Sequence, residues 1–302
     1  MSDTLLAIKI DVDTDRGTRL GVPNLLETFD DFGIKATFLF SLGPDNTGRA
    51  IKRIFRPGFF SKVSRTSVVG TYGIRTLLNG VLLPGPHVGR RNEAVMRRAR
   101  DAGHEVGIHC YDHIRWQDGL ATMTEAEVRE EFGKARREFE RIFGEPARTA
   151  GAAGWQADAR SLAAEDDAGL LYASDCRGTG PFFPRAGERT FRTLQLPTTL
   201  PTLDELLGRP EFPEDRIMDH YLSLLRPDTP NVLTIHAELE GMRHRALFRA
   251  FLDRTQHNGV RVIRLCDLAA DLLERPAAIP SCELVPGAVD GRSGTLAVQR
   301  CP

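Results

Sequence analysis

Two carboxylates, Asp11 and Asp13, close the apolar run Leu5-Leu6-Ala7-Ile8-Lys9-Ile10, and about a hundred residues on His109-Cys110-Tyr111-Asp112-His113 closes another. Residues two apart on an extended chain share a face, so both carboxylates can point into one space. Two neighbouring carboxylates repel unless a cation or a proton lies between them. Two imidazoles four apart can join one carboxylate in a three-ligand set that leaves coordination positions open for water and substrate. The other carboxylate is then free to act as a base. Each half alone is commonplace, since a strand-end Asp usually serves as a cap or turn residue and an HxxxH outside an HExxH context recurs by chance. Both in one chain, at strand ends, point to a site for one divalent metal ion; two imidazoles and a carboxylate suit zinc, cobalt, manganese or iron.

The elements that must position these groups alternate along the chain. Strand-like runs lie at 5–10, 34–40, 104–108, 149–153, 170–174, 231–235 and 260–265, with helical patterns at 22–31, 93–102, 124–143, 158–168, 214–225, 246–257 and 266–274. Thr124 followed by Glu127 is a capping box for the longest helix, and Gly144 is a stop. Roughly seven βα units predict an α/β fold, a parallel sheet closed or nearly closed as a distorted (β/α) barrel over residues 1–275. The stretch 276–302 shows no periodicity and is expected to be an irregular tail. In such barrels chemistry collects where strands end. Two further clusters obey that rule: Asp175-Cys176-Arg177 after Ser174, and His236-Ala237-Glu238 after Ile235.

Composition narrows the function classes. The chain has 302 residues, 41% hydrophobic and 27% charged, with a formal net charge of −1. That is the profile of a soluble protein with a sizeable core, and the charge balance argues against a nucleic-acid partner. Cysteines at 110, 176, 266, 282 and 301 show no framework spacing and are expected to be reduced thiols of a cytoplasmic protein. No signal peptide and no apolar run of transmembrane length is expected.

The order DxD, HxxxH and a late LxxH (Leu233 to His236) resembles the NodB-type polysaccharide deacetylases, metal-dependent amidases on a distorted (β/α) barrel. The resemblance implies Asp11 as general base, Asp13, His109 and His113 as metal ligands, and His236 as general acid. IDVDTDRGTRLGVP, LFSLGPDNTGR, EVGIHCYDH, AAGWQAD, SDCRG, QLPTTLPTLDE and TIHAELEG are similar to one branch of that family. That branch removes the formyl group from a formamido sugar carried on undecaprenyl phosphate, a step of lipid A modification linked to polymyxin resistance. It implies such a sugar lipid as substrate, with Asp175, Arg177, Trp155, Glu238 and Arg16 lining its pocket. Two departures from the wider family stand out. Val12 separates the opening carboxylates, and Ala152-Ala153-Gly154-Trp155 lacks the Arg that orients the base, which leaves Arg177 as a candidate on chemistry alone.

One stretch supports a lipid substrate without the resemblance. Between Asn46 and Asn92 there is no Asp or Glu, where the chain's average would place about six, while nine residues are Lys or Arg: Arg49, Lys52, Arg53, Arg56, Lys62, Arg65, Arg75, Arg90 and Arg91. Ile54-Phe55, Phe59-Phe60, Val68-Val69, Tyr72, Leu77-Leu78 and Val81-Leu82-Leu83 run through it. Basic and apolar together suit a helical insert resting on the anionic inner leaflet, although an ordinary surface helix pair facing the barrel has the same composition. Two other readings stay open: a deacetylase acting on soluble or cell-wall amino sugars, and a membrane-peripheral module without catalysis.

Overall fold

The computed structural model describes residues 4–50, 68–227 and 229–301. Among these the strands are β1 (Leu5–Val12), β2 (Thr37–Ser41), β3 (Glu105–Cys110), β4 (Thr149–Ala150), β5 (Tyr172–Ala173), β6 (Phe183–Ala186), β7 (Arg189–Thr190), β8 (Leu194–Gln195), β9 (Asn231–His236), β10 (Arg261–Ile263), β11 (Ser281–Gly287) and β12 (Leu296–Arg300). Eight of them form one sheet in the order β10-β1-β2-β3-β4-β5-β8, with β9 on β1, and every pairing in it is parallel. Beyond β8, the amides of Thr199 and Leu200 donate to the carbonyl of Val232 in β9 (3.1 and 3.2 Å). The two ends of the sheet therefore meet, giving the expected distorted (β/α) barrel.

β1 is the central strand, and its sequence explains why. Leu6, Ala7, Ile8, Ile10 and Val12 are all buried, the two-faced burial that a parallel strand covered by helices requires. Its register places Asp11 opposite Leu39 of β2 and opposite His236 of β9. The layer outside is apolar: Phe29, Phe38, Phe40, Phe248 and Phe251 pack with Leu25, Ile10 and Leu252 in one large cluster. The helix Glu125–Phe143 begins at the expected capping box of Thr124 and Glu127 and stops at Gly144, whose φ is +75°.

The region after 275 corrects two expectations. It is not irregular: β11 pairs in parallel with β6 and antiparallel with β12, making a second, four-stranded sheet with β7. These strands lack a periodic signature because β11 is largely half-exposed and carries Pro286. Cys282 and Cys301 form a disulfide, so not all five cysteines are thiols; Cys110, Cys176 and Cys266 remain free. Sequence spacing alone did not show the pair, whose proximity depends on β11 and β12 folding back together. Much of the described part of the insert is helical: a helix Val68–Leu78, kinked at Gly73 (φ +76°), precedes the helix Val88–Asp101, with turns and isolated bridges between them. Lys52, Arg53, Arg56, Lys62 and Arg65 lie outside the described residues.

Two helical turns lock the strands that bear the polar clusters. Gly17–Gly21 follows β1 and Leu239–Arg243 follows β9. They touch backbone to backbone: a Cβ at Gly21 would sit 2.1 Å from the carbonyl oxygen of Ala237, and one at Gly241 would sit 2.7 Å from that of Gly21. Only glycine permits that approach. Gly21→Ala is therefore expected to destabilise the fold by roughly 1–3 kcal/mol, the usual cost of forced overpacking. The midpoint of chemical denaturation, compared with the parent protein, measures it.

Candidate active site and metal centre

β1 and β3 end side by side with β2 between them, and the HxxxH unit turns back over the end of β1. Asp112 makes that turn: its Oδ1 accepts from the amide of Arg115 (3.0 Å), so it caps the helix His113–Gly119, and its Oδ2 accepts from Asn46 Nδ2 (2.6 Å). His113 is then the first helical residue and points back towards His109, with the ring centroids 5.3 Å apart. The Nδ1 of His109 donates to the carbonyl of Gly151 (2.7 Å). That bond fixes the tautomer and leaves Nε2 as a bare donor atom.

The result is a convergent triad. Asp13 Oδ1 lies 3.2 Å from His109 Nε2 and 3.4 Å from His113 Nε2. This oxygen is buried and has no hydrogen-bond partner. One ligand atom from each of the three residues lies within 4.8 Å of the others. An orphaned carboxylate oxygen between two imidazole nitrogens fits a divalent cation, and N and O donors suit zinc, cobalt, manganese or iron. Burial alone would raise the pKa of Asp13, but the nearby imidazoles of His113 and His109 outweigh it and hold the carboxyl well below its usual range. The ionised form, the one that binds metal, is thus favoured.

Asp11 and His236 flank this triad on neighbouring strands. Asp11 is buried, and its Oδ1 has no hydrogen-bond partner. Its nearest cation is Lys9, whose Nζ stands 3.7 Å away. His236 meets the edge of Trp155, at 6.4 Å between ring centroids, and its Nδ1 is buried without a partner. Its backbone amide donates to Glu240 (2.9 Å), a carboxyl that burial pushes up to about 7 against the pull of His236.

The expected pocket residues divide. Trp155 is fully buried at a left-handed turn (φ +53°) and donates to Thr198 Oγ1 (3.1 Å); Lys9, Arg177 and Arg292 all lie over its ring. Arg177 is committed elsewhere: its Nη1 pairs with Glu205 (2.5 Å), and Nε and Nη2 donate to the carbonyls of Thr198 and Leu200. It braces Trp155 from behind and does not reach Asp11. Asp175 accepts from the amide of Ala152 (2.7 Å) and from Gln195 (2.6 Å), and it is fully buried. The hydrogen bonds of Asp175 and Arg177 thus go to the fold's own backbone and side chains. Glu238 accepts from both the amide and the hydroxyl of Thr14 (2.9 and 2.6 Å), tying the exit of β9 to that of β1. Burial, then the charge of Asp13, push it up to about 8. Its Oε2 is buried and unpartnered. Arg16 stands at the edge beside Gly73 of the insert, and its Nη1 also has no partner.

Sequence reasoning missed Lys9. The signal was present, a lysine inside an otherwise apolar strand two residues before Asp11 and therefore on the same face.

Residues 10–173 match the polysaccharide deacetylase family, to which this chain belongs. It is 38% identical over 296 residues to a probable 4-deoxy-4-formamido-L-arabinose-phosphoundecaprenol deformylase ArnD of Shewanella sediminis, covering 98% of this chain and 95% of that one. A protein of the same name from Wigglesworthia glossinidia brevipalpis is 32% identical over 288 residues, covering 94% of this chain and 98% of the relative. A solved structure of a probable polysaccharide deacetylase from Pseudomonas aeruginosa shares the fold, with a TM-score of 0.59 at 18% identity over 89% of this chain and 91% of the other.

Removing one imidazole should leave too few ligands to hold a metal. His113→Ala is expected to lose stoichiometric metal while keeping its far-ultraviolet circular dichroism. Elemental analysis after gel filtration decides it, and a fully loaded variant would take His113 out of the ligand set.

Proposed function

We propose that this protein is a metal-dependent amidase that hydrolyses the formamide of undecaprenyl-phosphate-linked 4-deoxy-4-formamido-L-arabinose. The products are formate and the 4-amino sugar lipid. The observation that carries the reading is the orphaned Asp13 oxygen between His109 and His113, with Asp11 and His236 on the adjoining strands. The 38% identity over nearly the whole chain to a relative named for this deformylation supports the substrate. A divalent metal held by Asp13, His109 and His113 would supply Lewis-acid polarisation of the formyl oxygen and a water of lowered pKa. Asp11, unpartnered and buried beside that set, takes the proton of the attacking water. His236, across the β1–β9 pairing from Asp11, gives a proton to the departing amine, so that one water is consumed and the C–N bond is replaced by a carboxylate and an ammonium. Trp155 holds the wall against which His236 stands. Arg16, whose Nη1 is buried without a partner, would receive the lipid phosphate through the charge-assisted bonds a guanidinium makes.

The polyprenyl tail must stay in the bilayer, so the site has to be brought to it. Among the described residues no helix is long and apolar enough to cross a membrane. Among the described residues the large exposed apolar side chains are Ile74 (68%), Val81, Leu82 (75%), Leu83 and Leu171, all but the last in one stretch of the insert. Arg49, Arg75, Arg90 and Arg91, in the same part of the sequence, are exposed too. The helix Val68–Leu78 packs on the turn that follows β9, so this surface borders the mouth of the barrel. An exposed apolar stretch with exposed arginines in the same part of the chain suits peripheral attachment to the anionic inner leaflet from the cytoplasm.

Two measurements test these readings. Asp11→Asn should keep its metal and lose roughly 10²–10⁴ in the rate of formate release from the formamido-sugar lipid, the size of a general acid–base contribution. An acetamido analogue should be a poorer substrate; equal turnover of the two acyl groups would favour a general deacetylase. In vesicle co-sedimentation, wild type should pellet with anionic phospholipid and be released as salt is raised. A double variant, Ile74→Glu with Leu82→Glu, should remain in the supernatant, and equal pelleting would make the stretch an ordinary surface.

A further inference from the structure

We infer that Lys9 is the positioning residue for the Asp11 carboxylate, and that it decides which of the two carboxylates leaving β1 is free for proton transfer. The inference rests on the reading of Asp11 as the proton acceptor. Lys9 is fully buried in the middle of the barrel's central strand. A buried ammonium is costly unless it is paired and hydrogen-bonded. Its Nζ donates to the carbonyl of Ser174 (2.8 Å), across the barrel, and stands 3.7 Å from Asp11 Oδ1. The face of Trp155 lies 5.5 Å away. Gly151 leaves room for the ammonium: a Cβ there would sit 3.3 Å from Nζ and 2.5 Å from Leu39 Cδ1.

Other groups near Asp11 cannot do this work. His109 Nδ1 is 3.9 Å from the same Asp11 oxygen, but its proton is spent on Gly151. Arg177 is held by Glu205, Thr198 and Leu200. Asp175, the other carboxylate facing Lys9, is occupied by Ala152 and Gln195. Lys9 and Asp11 share a face of β1, so the strand itself sets their spacing. The two carboxylates are thus sorted by their cations: Asp13 faces two imidazoles, and Asp11 is drawn back towards an ammonium anchored to the opposite wall. Held there, Asp11 stays beside the metal set without joining it.

The test is a double-mutant cycle on metal-loaded protein, read as kcat, KM and bound metal. Lys9→Met keeps the length of the chain without the charge, and Lys9→Gln also keeps a donor for Ser174. Each is expected to lower kcat roughly 10–100-fold, the usual effect of removing a group that orients a site residue, with KM changed less than about twofold and metal stoichiometry unchanged. In an Asp11→Asn background the same substitutions should change kcat by less than about twofold, because Lys9 acts through Asp11. A full additional loss in that background overturns the inference, as does unchanged kcat in Lys9→Gln. If neither variant accumulates as folded, metal-loaded protein, Lys9 is a structural cation and the inference is also overturned. An Asp11→Asn protein that is fully active or metal-free sinks the reading of Asp11 itself. A slow, metal-replete Asp11→Asn with additive Lys9 losses overturns only the positioning role.

Discussion

The site depends on the parallel register of β1 with β2 and β9. That register sets Asp11 level with His236 on one side and with Leu39 on the other, and β2 in turn carries β3 to the same height. A slip of one residue would turn Asp11 and Asp13 to the opposite face and bring Val12 into their place. The register is protected where strands exit, by the glycine contact between Gly21 and Ala237 and by Glu238 accepting two bonds from Thr14. Packing of the strand ends and placement of the reacting groups are therefore one problem with one solution.

Charge is concentrated in this small volume, and several of the charges lie beside an opposite or ionisable group. Asp13 is answered by two imidazoles, Asp11 by Lys9, Arg177 by Glu205. The hydrogen bonds that remain unmade are informative. The orphaned polar atoms include Asp13 Oδ1, Asp11 Oδ1, His236 Nδ1, Glu238 Oε2 and Arg16 Nη1, and these line the ends of β1 and β9. Buried polar atoms without partners are uncommon in folded proteins, and their clustering at one strand end marks where a metal, a water and a polar substrate complete the set.

Much of this was legible in the sequence because the informative residues are local to strand ends. The DxD pair, the HxxxH unit and His236 each follow an apolar run, and the structure brings all of them together. The capping box at Thr124 and the stop at Gly144 are likewise short-range signals. What could not be read depends on contacts distant in sequence. Arg177 looks available until Glu205 and the backbone of 198–200 are seen to claim it. β11 and β12 are weak strands whose pairing with β6 and with each other supplies what their own residues lack, and Cys282 meets Cys301 only through that pairing. Lys9 was hidden differently: a lone charge in an apolar strand reads as noise until the carboxylate two residues on is seen to share its face.

The central strand precedes its partners in the sequence, and this has a consequence for biosynthesis. β1 emerges from the ribosome well before its partner along one whole edge, β9, which lies more than 200 residues later. Throughout that interval a nascent chain carries a strand edge with nothing to pair against, the kind of surface that recruits chaperones or joins neighbouring copies. A long-range closure of this sort is slow to form. Lys9, Asp11 and Asp13 then serve a second purpose, since charges on an unpaired strand discourage two such edges from meeting.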